Sequence, residues 1–197
     1  MIGALPETLS VGGEDYAVRS DYRNILQTFE AFQDPELEPA EKWIVAIYLI
    51  FEKFSCADDV IHAAQDGFDL EEAQEQMLWF ISAGQPEKEI TELPVYDWKQ
   101  DEQIIFSAVN KVAGTETRLL DYLHWWTFLG YFNEIGEGTF SYVVGIRDKL
   151  NKHKKLEKHE REFVAKNKKI IKLVKPKTKS ELAEEMENQA IRDEVFG

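Results

Sequence analysis

Two short alternating runs open the chain, Leu9-Ser10-Val11 and Tyr16-Ala17-Val18, separated by Gly12-Gly13. Period-two alternation around residues that tolerate positive φ predicts a small N-terminal β-hairpin. From Asp21 the apolar period lengthens to about 3.6 residues and stays there for most of the chain, which predicts a mainly α protein. The first helix, 21–33, places Ile25, Leu26, Phe29 and Phe32 on one face and ends before Asp34-Pro35, because proline disfavours helix in the residue ahead of it. A second helix starts at Pro39, and its run from Trp43 to Phe51 is apolar nearly all round, the pattern of a helix buried on every side.

Beyond it, 58–65 reads as a short helix, and Asp69 with Glu72 resembles a capping box opening a helix that runs to Ala83. Residues 84–94 hold two prolines and a glycine and read as a loop. Asp97 is placed to cap the next helix, whose Ile104, Ile105, Ala108, Val109 and Val112 share a face. Residues 119–132 read as a second interior helix, with Asp121, His124 and Thr127 as a polar seam. Gly130, Gly136 and Gly138 turn the chain into a last long segment, 140–174, and Thr178 with Glu181 caps a short acidic helix to the end. The expected architecture is a helical bundle with an N-terminal hairpin and a long basic C-terminal helix.

The charge is divided more sharply than the net −14 suggests. Residues 1–140 hold 8 Lys and Arg against 27 Asp and Glu, residues 141–180 hold 14 against 4, and residues 181–197 hold 1 against 6. This divides the 197 residues into an acidic core domain at 1–140, a basic helical arm at 141–179 and a short acidic helix or tail at 180–197. Such asymmetry speaks of association rather than fold. Forty-four per cent hydrophobic residues, with 12 Phe, 7 Tyr and 5 Trp, argue against disorder. The single cysteine rules out an internal disulfide framework and suits a reducing compartment. The opening seven residues lack the basic start and apolar run of a signal peptide, and the longest apolar stretch, 44–51, is far short of the roughly 20 residues that span a bilayer. A cytoplasmic protein without a membrane partner is expected.

Candidate chemistry is sparse. Gly136-Glu137-Gly138 has two glycines of a dinucleotide fingerprint but not the third, follows a helix and carries a carboxylate that repels pyrophosphate. His153 and His159 stand six apart among lysines, an arrangement unsuited to metal capture. Cys56 lacks a neighbouring base or cation and reads as a small core hydrophobe rather than a nucleophile. His124 has Asp121 at i−3 but no nucleophile at a readable spacing, so a buried hydrogen-bonded histidine beside Trp125 and Trp126 is preferred to a catalytic one. No enzyme activity, cofactor or metal is expected. The arm is the unusual object: Leu156, Phe163 and Ile170 recur every seven residues among lysines, the seam of a helix that packs along another helix. As one helix, 140–174 would extend about 50 Å, so part of it should project. The arm is either a solvated helix folded on the acidic body or a surface for a partner protein. Nucleic acid is disfavoured, because the arm lacks interleaved stacking aromatics and the body repels phosphate.

Several groups of residues resemble the bacteriophage gene-product-fifteen family of tailed phages and prophages. They are Leu5-Pro6, Gly13 with Tyr16, Ser20-Asp21-Tyr22-Arg23, Tyr96-Asp97-Trp98 with Asp101, His124-Trp125-Trp126-Thr127-Phe128, and Gly136-Glu137-Gly138-Thr139-Phe140 followed by Gly145-Ile146-Arg147. The resemblance covers about residues 5–160. Members lie in the tail-morphogenesis region of siphophage genomes, just before the tape-measure gene, so it implies a non-enzymatic tail assembly chaperone in the bacterial host cytoplasm. The implied partner is the tape-measure protein, with the tail tube or other tail-assembly proteins as further partners and self-association left open. The alternative is a structural component of the mature tail or head–tail junction. Arg147, Leu156, Phe163 and Ile170 are the expected partner-binding residues.

Overall fold

The computed structural model describes residues 3–86 and 93–174. Strands β1 (Thr8–Val11) and β2 (Glu14–Ala17) pair antiparallel with Leu9 opposite Tyr16 and Val11 opposite Glu14. Both turn glycines have positive φ, 62° at Gly12 and 78° at Gly13, the requirement of a two-residue turn whose twist matches the strands. Register turns Leu9 and Val11 into the core, and the Gly12 N–H donates to Glu72 at 2.7 Å, tying the turn to a helix sixty residues away.

Helices α1 (Tyr22–Gln33) and α2 (Pro39–Ile50) pack on each other. Of α2, Ala46, Ile47 and Ile50 are fully buried, whereas Trp43, Ile44, Tyr48 and Leu49 are half-buried, so it is covered less completely than its apolar run predicts. Its C-terminal end is closed by Arg19, which donates to the carbonyls of Tyr48, Phe51 and Phe54, each at 2.7 Å. A guanidinium supplies donors to carbonyls that a helix end leaves without partners. Helices α3 (Ala57–Gln65) and α4 (Leu70–Ile81) follow, the latter capped by Asp69 as its spacing predicts. Cys56 corrects the expectation of a core hydrophobe. It is exposed, standing just ahead of α3 with its N–H donated to Asp59.

Asp97 caps, but it caps the turn at 98–101, and α5 (Glu102–Ala113) begins one turn later than expected. The expected helix 119–132 is half helix. A single 3₁₀ turn at Thr117–Leu119 leads into an extended stretch, and α6 spans Trp125–Asn133 only. The stretch is extended because it pairs with the segment before α1: the Tyr22 N–H donates to the Leu123 carbonyl at 3.0 Å and the Trp125 N–H to the Ser20 carbonyl at 2.7 Å. Backbone pairing over a hundred residues apart thus overrides a local helical pattern.

The single long C-terminal helix is likewise corrected. Residues 139–171 form α7 (Thr139–Asn151), α8 (Lys158–Lys166) and α9 (Lys168–Ile171), with His153 at φ 52° where the chain leaves α7. Instead of projecting, α9 returns to α7, and Val143, Ile146 and Ile171 make a second small core beside the main one. The expected acidic helix at 180–197 lies outside the described residues, as does the end of the basic arm. Among the described residues, no helix is long and apolar enough to cross a membrane.

Candidate functional site

Arg147 sits on α7, 3% exposed, and its five N–H donors all have acceptors. The Asp101 carboxylate receives two, at 2.5 and 2.9 Å. The Ile171 and Val95 carbonyls receive one each at 3.0 Å, and the Ile170 carbonyl receives the last. A guanidinium has no further donor to offer. Asp101 also accepts the Asp97 N–H at 3.0 Å, so the buried pair is satisfied on both sides. Arg147 is a clasp between α7, the α5 start and α9, with nothing left for a partner.

Leu156 and Phe163 are half-buried, and both pack on the Val143, Ile146 and Ile171 cluster. The Phe163 ring meets Tyr142 edge-on at 5.0 Å. Lys149 bonds Glu160 at 2.6 Å, and that bond is the main reason the Glu160 carboxyl is held below its ordinary range and the Lys149 ammonium above its own. The seven-residue seam is therefore real as an apolar stripe, but two of its three members meet the chain's own helices. Ile170 is the member left outside, 38% exposed. Near it in sequence, Val174 is 65% exposed, and Leu150 on α7 is 40% exposed. Lys154, Lys155, Lys158, Arg161, Lys168 and Lys169 are all exposed. The outward face of this layer is cationic with scattered apolar positions.

The other expected residues come together as joints. His124 is 3% exposed and stands at the start of α6. Its Nδ1 accepts the Trp126 N–H at 3.0 Å and its Nε2 lies 3.0 Å from the Pro6 carbonyl. A carbonyl only accepts and an amide only donates, so a neutral ring carrying its proton on Nε2 satisfies both. Asp121 is exposed, outside any helix, so the expected seam does not form. The Trp125 and Trp126 indoles donate to the Ile81 and Phe80 carbonyls at 2.9 and 2.8 Å, closing the C-terminal end of α4. Asp21 accepts the Arg23 and Leu123 N–H groups, both at 2.9 Å.

The surface of the described residues also carries clefts. One of about 450 Å³ lies between the hairpin and α3, where the Lys53 ammonium stands 4.6 Å from the Tyr16 ring and 4.9 Å from that of Phe68. A second of about 450 Å³ runs from Ile104 to Phe140 past Gly136 and Gly138, with Lys111 bonded to the Glu137 carbonyl. The third, about 380 Å³, lies between α1 and α5. Among the described residues, no group of three or more His, Cys, Asp or Glu is placed to hold a metal ion.

Sequence reading misses the Asp101–Arg147 pairing and the Arg19 cap. Tyr96-Asp97-Trp98 with Asp101 and Gly145-Ile146-Arg147 are both among the groups that carry the family resemblance, but nothing in their spacing says that they meet. The same is true of Ser20-Asp21-Tyr22-Arg23 and the His124 group, which form the backbone bridge described above.

No curated protein and no solved structure matches the chain. The family described as Bacteriophage Gp15 protein matches residues 1–173, a span that includes both of these joints and all three helices of the basic layer. The match runs over most of the chain, and the protein is a member of the Bacteriophage Gp15 family.

Proposed function

We propose that this phage protein is a non-enzymatic tail-morphogenesis factor that acts in the bacterial host cytoplasm as an assembly chaperone for the tape-measure protein. Family membership supplies the phage context. The observation that carries the reading is the α7–α9 layer, which turns its apolar seam inward and its cations outward on an otherwise acidic body. A long, helix-rich chain exposes apolar stripes before a tail tube surrounds it, and such stripes aggregate unless another surface covers them. Exposed lysines speed and orient encounter with an acidic partner, while Leu150, Ile170 and Val174 provide apolar contact beside them. Leu156 and Phe163, packed inside the chain, act by holding this layer in place, and Arg147 by clasping it to the body.

The test is co-expression with a tape-measure protein from the same phage genome, followed by pull-down. Lys154→Glu, Lys155→Glu and Lys158→Glu together should abolish most capture while leaving the melting temperature unchanged. Equal capture by the wild type and this variant would remove the basic layer from the mechanism. Stoichiometric presence in purified virions would replace the transient role with a structural one.

A further inference from the structure

The cleft between the hairpin and α3 is walled by two turns, the hairpin tip at Gly12 and the 66–69 turn between α3 and α4. Its base is aromatic. The Tyr16 and Phe68 rings meet edge-on at 5.5 Å and those of Phe54 and Phe68 at 5.3 Å, so three rings stand around one corner. The Lys53 ammonium lies in that corner, 4.6 Å from the Tyr16 ring, 4.9 Å from Phe68 and 5.7 Å from Phe54. A cation this close to a ring face is attracted by the ring quadrupole, and several rings around one point make the cage that recognises alkylammonium groups. Glu14, Asp66 and Asp69 also line the cleft, and Lys53 makes an ion pair with none of them. Glu14 accepts the Tyr16 hydroxyl through one oxygen, and Asp69 caps α4 through Oδ1 alone. The Asp66 carboxylate has no partner among the described residues.

We infer that this cleft binds an alkylammonium side chain, a lysine on a basic segment of a partner protein, and that Lys53 is the stand-in such a lysine displaces. The internal lysine shows that the corner takes an ammonium. The charges show that it leaves the site unbalanced: three carboxylates line the cleft beside one cation, and each keeps an oxygen without a partner among the described residues. Lys53 is itself exposed and sits on a flexible four-carbon stem, held by rings and by no ion pair. An incoming lysine that takes its place gains the same rings together with carboxylates that Lys53 does not reach. The walls stay in place during the exchange, because the Gly12 N–H is bonded to Glu72 of α4. Over residues 1–140 the body holds 27 acidic residues against 8 basic, a field that draws a segment of several cations more strongly than a lone amine. The site stands apart from the α7–α9 layer and rests on no part of the chaperone reading.

Nuclear magnetic resonance of the full-length chain tests the site, with Nα-acetyl-lysine methylamide as the probe and Lys53→Gln as the variant that vacates the cage. Lys53 is exposed, so the variant should stay folded with a melting temperature close to wild type. The probe should shift the Gly12, Gly67 and Phe68 amides saturably, with several-fold higher affinity in K53Q than in wild type. An ε-trimethylated probe should bind at least as tightly, because the rings attract a cation that has no N–H to donate, and a neutral ε-acetylated probe should not bind. Asp66→Asn on the K53Q background should weaken both cationic probes several-fold, and a peptide of alternating lysine and serine should bind more tightly than the single lysine. The absence of a saturable shift in K53Q, or an equal response to the acetylated probe, would overturn the cation site. Equal affinity in wild type and K53Q would overturn the stand-in role of Lys53. Self-association of the wild-type chain that Asp66→Asn abolishes would overturn the partner in favour of a second copy.

Discussion

Truncating Arg147 leaves Asp101 buried with an uncompensated charge, and three carbonyls lose their donor at once. Breaking a buried pair from one side costs about 3–5 kcal/mol, so Arg147→Ala should lower unfolding stability in urea by about that much. Arg147→Lys should recover little, because an ammonium has three donors where five acceptor contacts exist. Glu116 provides a test at acid pH. Its carboxyl is held down to about 2, first by the Arg118 side chain and then by Asn110, against an ordinary 4.5. A folded value below the unfolded one gives stability that is complete above about pH 4.5 and drains as pH falls towards 2. Glu116→Gln should therefore show a shallower fall of the urea midpoint than wild type across that acid window. These residues differ in how readable they were. The burial of His124 followed from its apolar neighbours, although its expected partner Asp121 was wrong. Arg147 looked like one more cation of a basic stretch, because the letter is the same on a surface and in a core and its partner stands 46 residues away.

At the ends of the helices the same principle decides what a sequence reveals. Helices α4 and α7 both stop with a residue in the left-handed region, Ala83 at φ 54° and His153 at φ 52°. In each case the two following bonds close back on the last turn: Ala83 to Phe80 and Gly84 to Trp79, then His153 to Leu150 and Lys154 to Lys149. Only glycine takes this conformation without a Cβ penalty, which is roughly 1–2 kcal/mol for other residues and is partly offset by the greater freedom of an unfolded glycine. Ala83→Gly and His153→Gly should each raise unfolding stability by about 0.5–1 kcal/mol in chemical denaturation. The α4 end was legible because Gly84 and Pro86 follow it. The α7 end was not: Lys152-His153-Lys154 carries no breaker, and the reason to stop is tertiary, since α9 must return for its carbonyls to reach Arg147. A signal did exist four residues on, where the Glu157 N–H donates to the Glu160 carboxylate at 2.7 Å, the reciprocal pairing that opens a new helix. The extended stretch before α6 had no such signal, since its pairing strand lies at the other end of the chain.

Across the whole molecule, the division of charge was the feature most plainly written in the sequence, while its structural meaning depended on which contacts hold the basic layer down. Among the described residues, Lys149 pairs with Glu160 and Lys152 with Asp148, both within the layer, whereas the buried Arg147–Asp101 pair and the Gln100 bonds to Lys172 and Val174 tie the layer to the body. Screening acts strongly on exposed charges and weakly on buried ones, and raising salt from about 0.1 M to about 1 M shortens the screening length from about 10 Å to about 3 Å. Stability and partner capture should then separate along one titration. The melting temperature and the hydrogen exchange of 158–171 should stay nearly constant, while capture of the tape-measure protein should fall steeply if the outward lysines guide it. If exposed Coulomb attraction held the layer instead, exchange across 158–171 would rise in step with the loss of capture. Capture indifferent to salt would mean that the contact is apolar and lies elsewhere, which turns attention to Leu150, Ile170 and Val174 without the lysines around them.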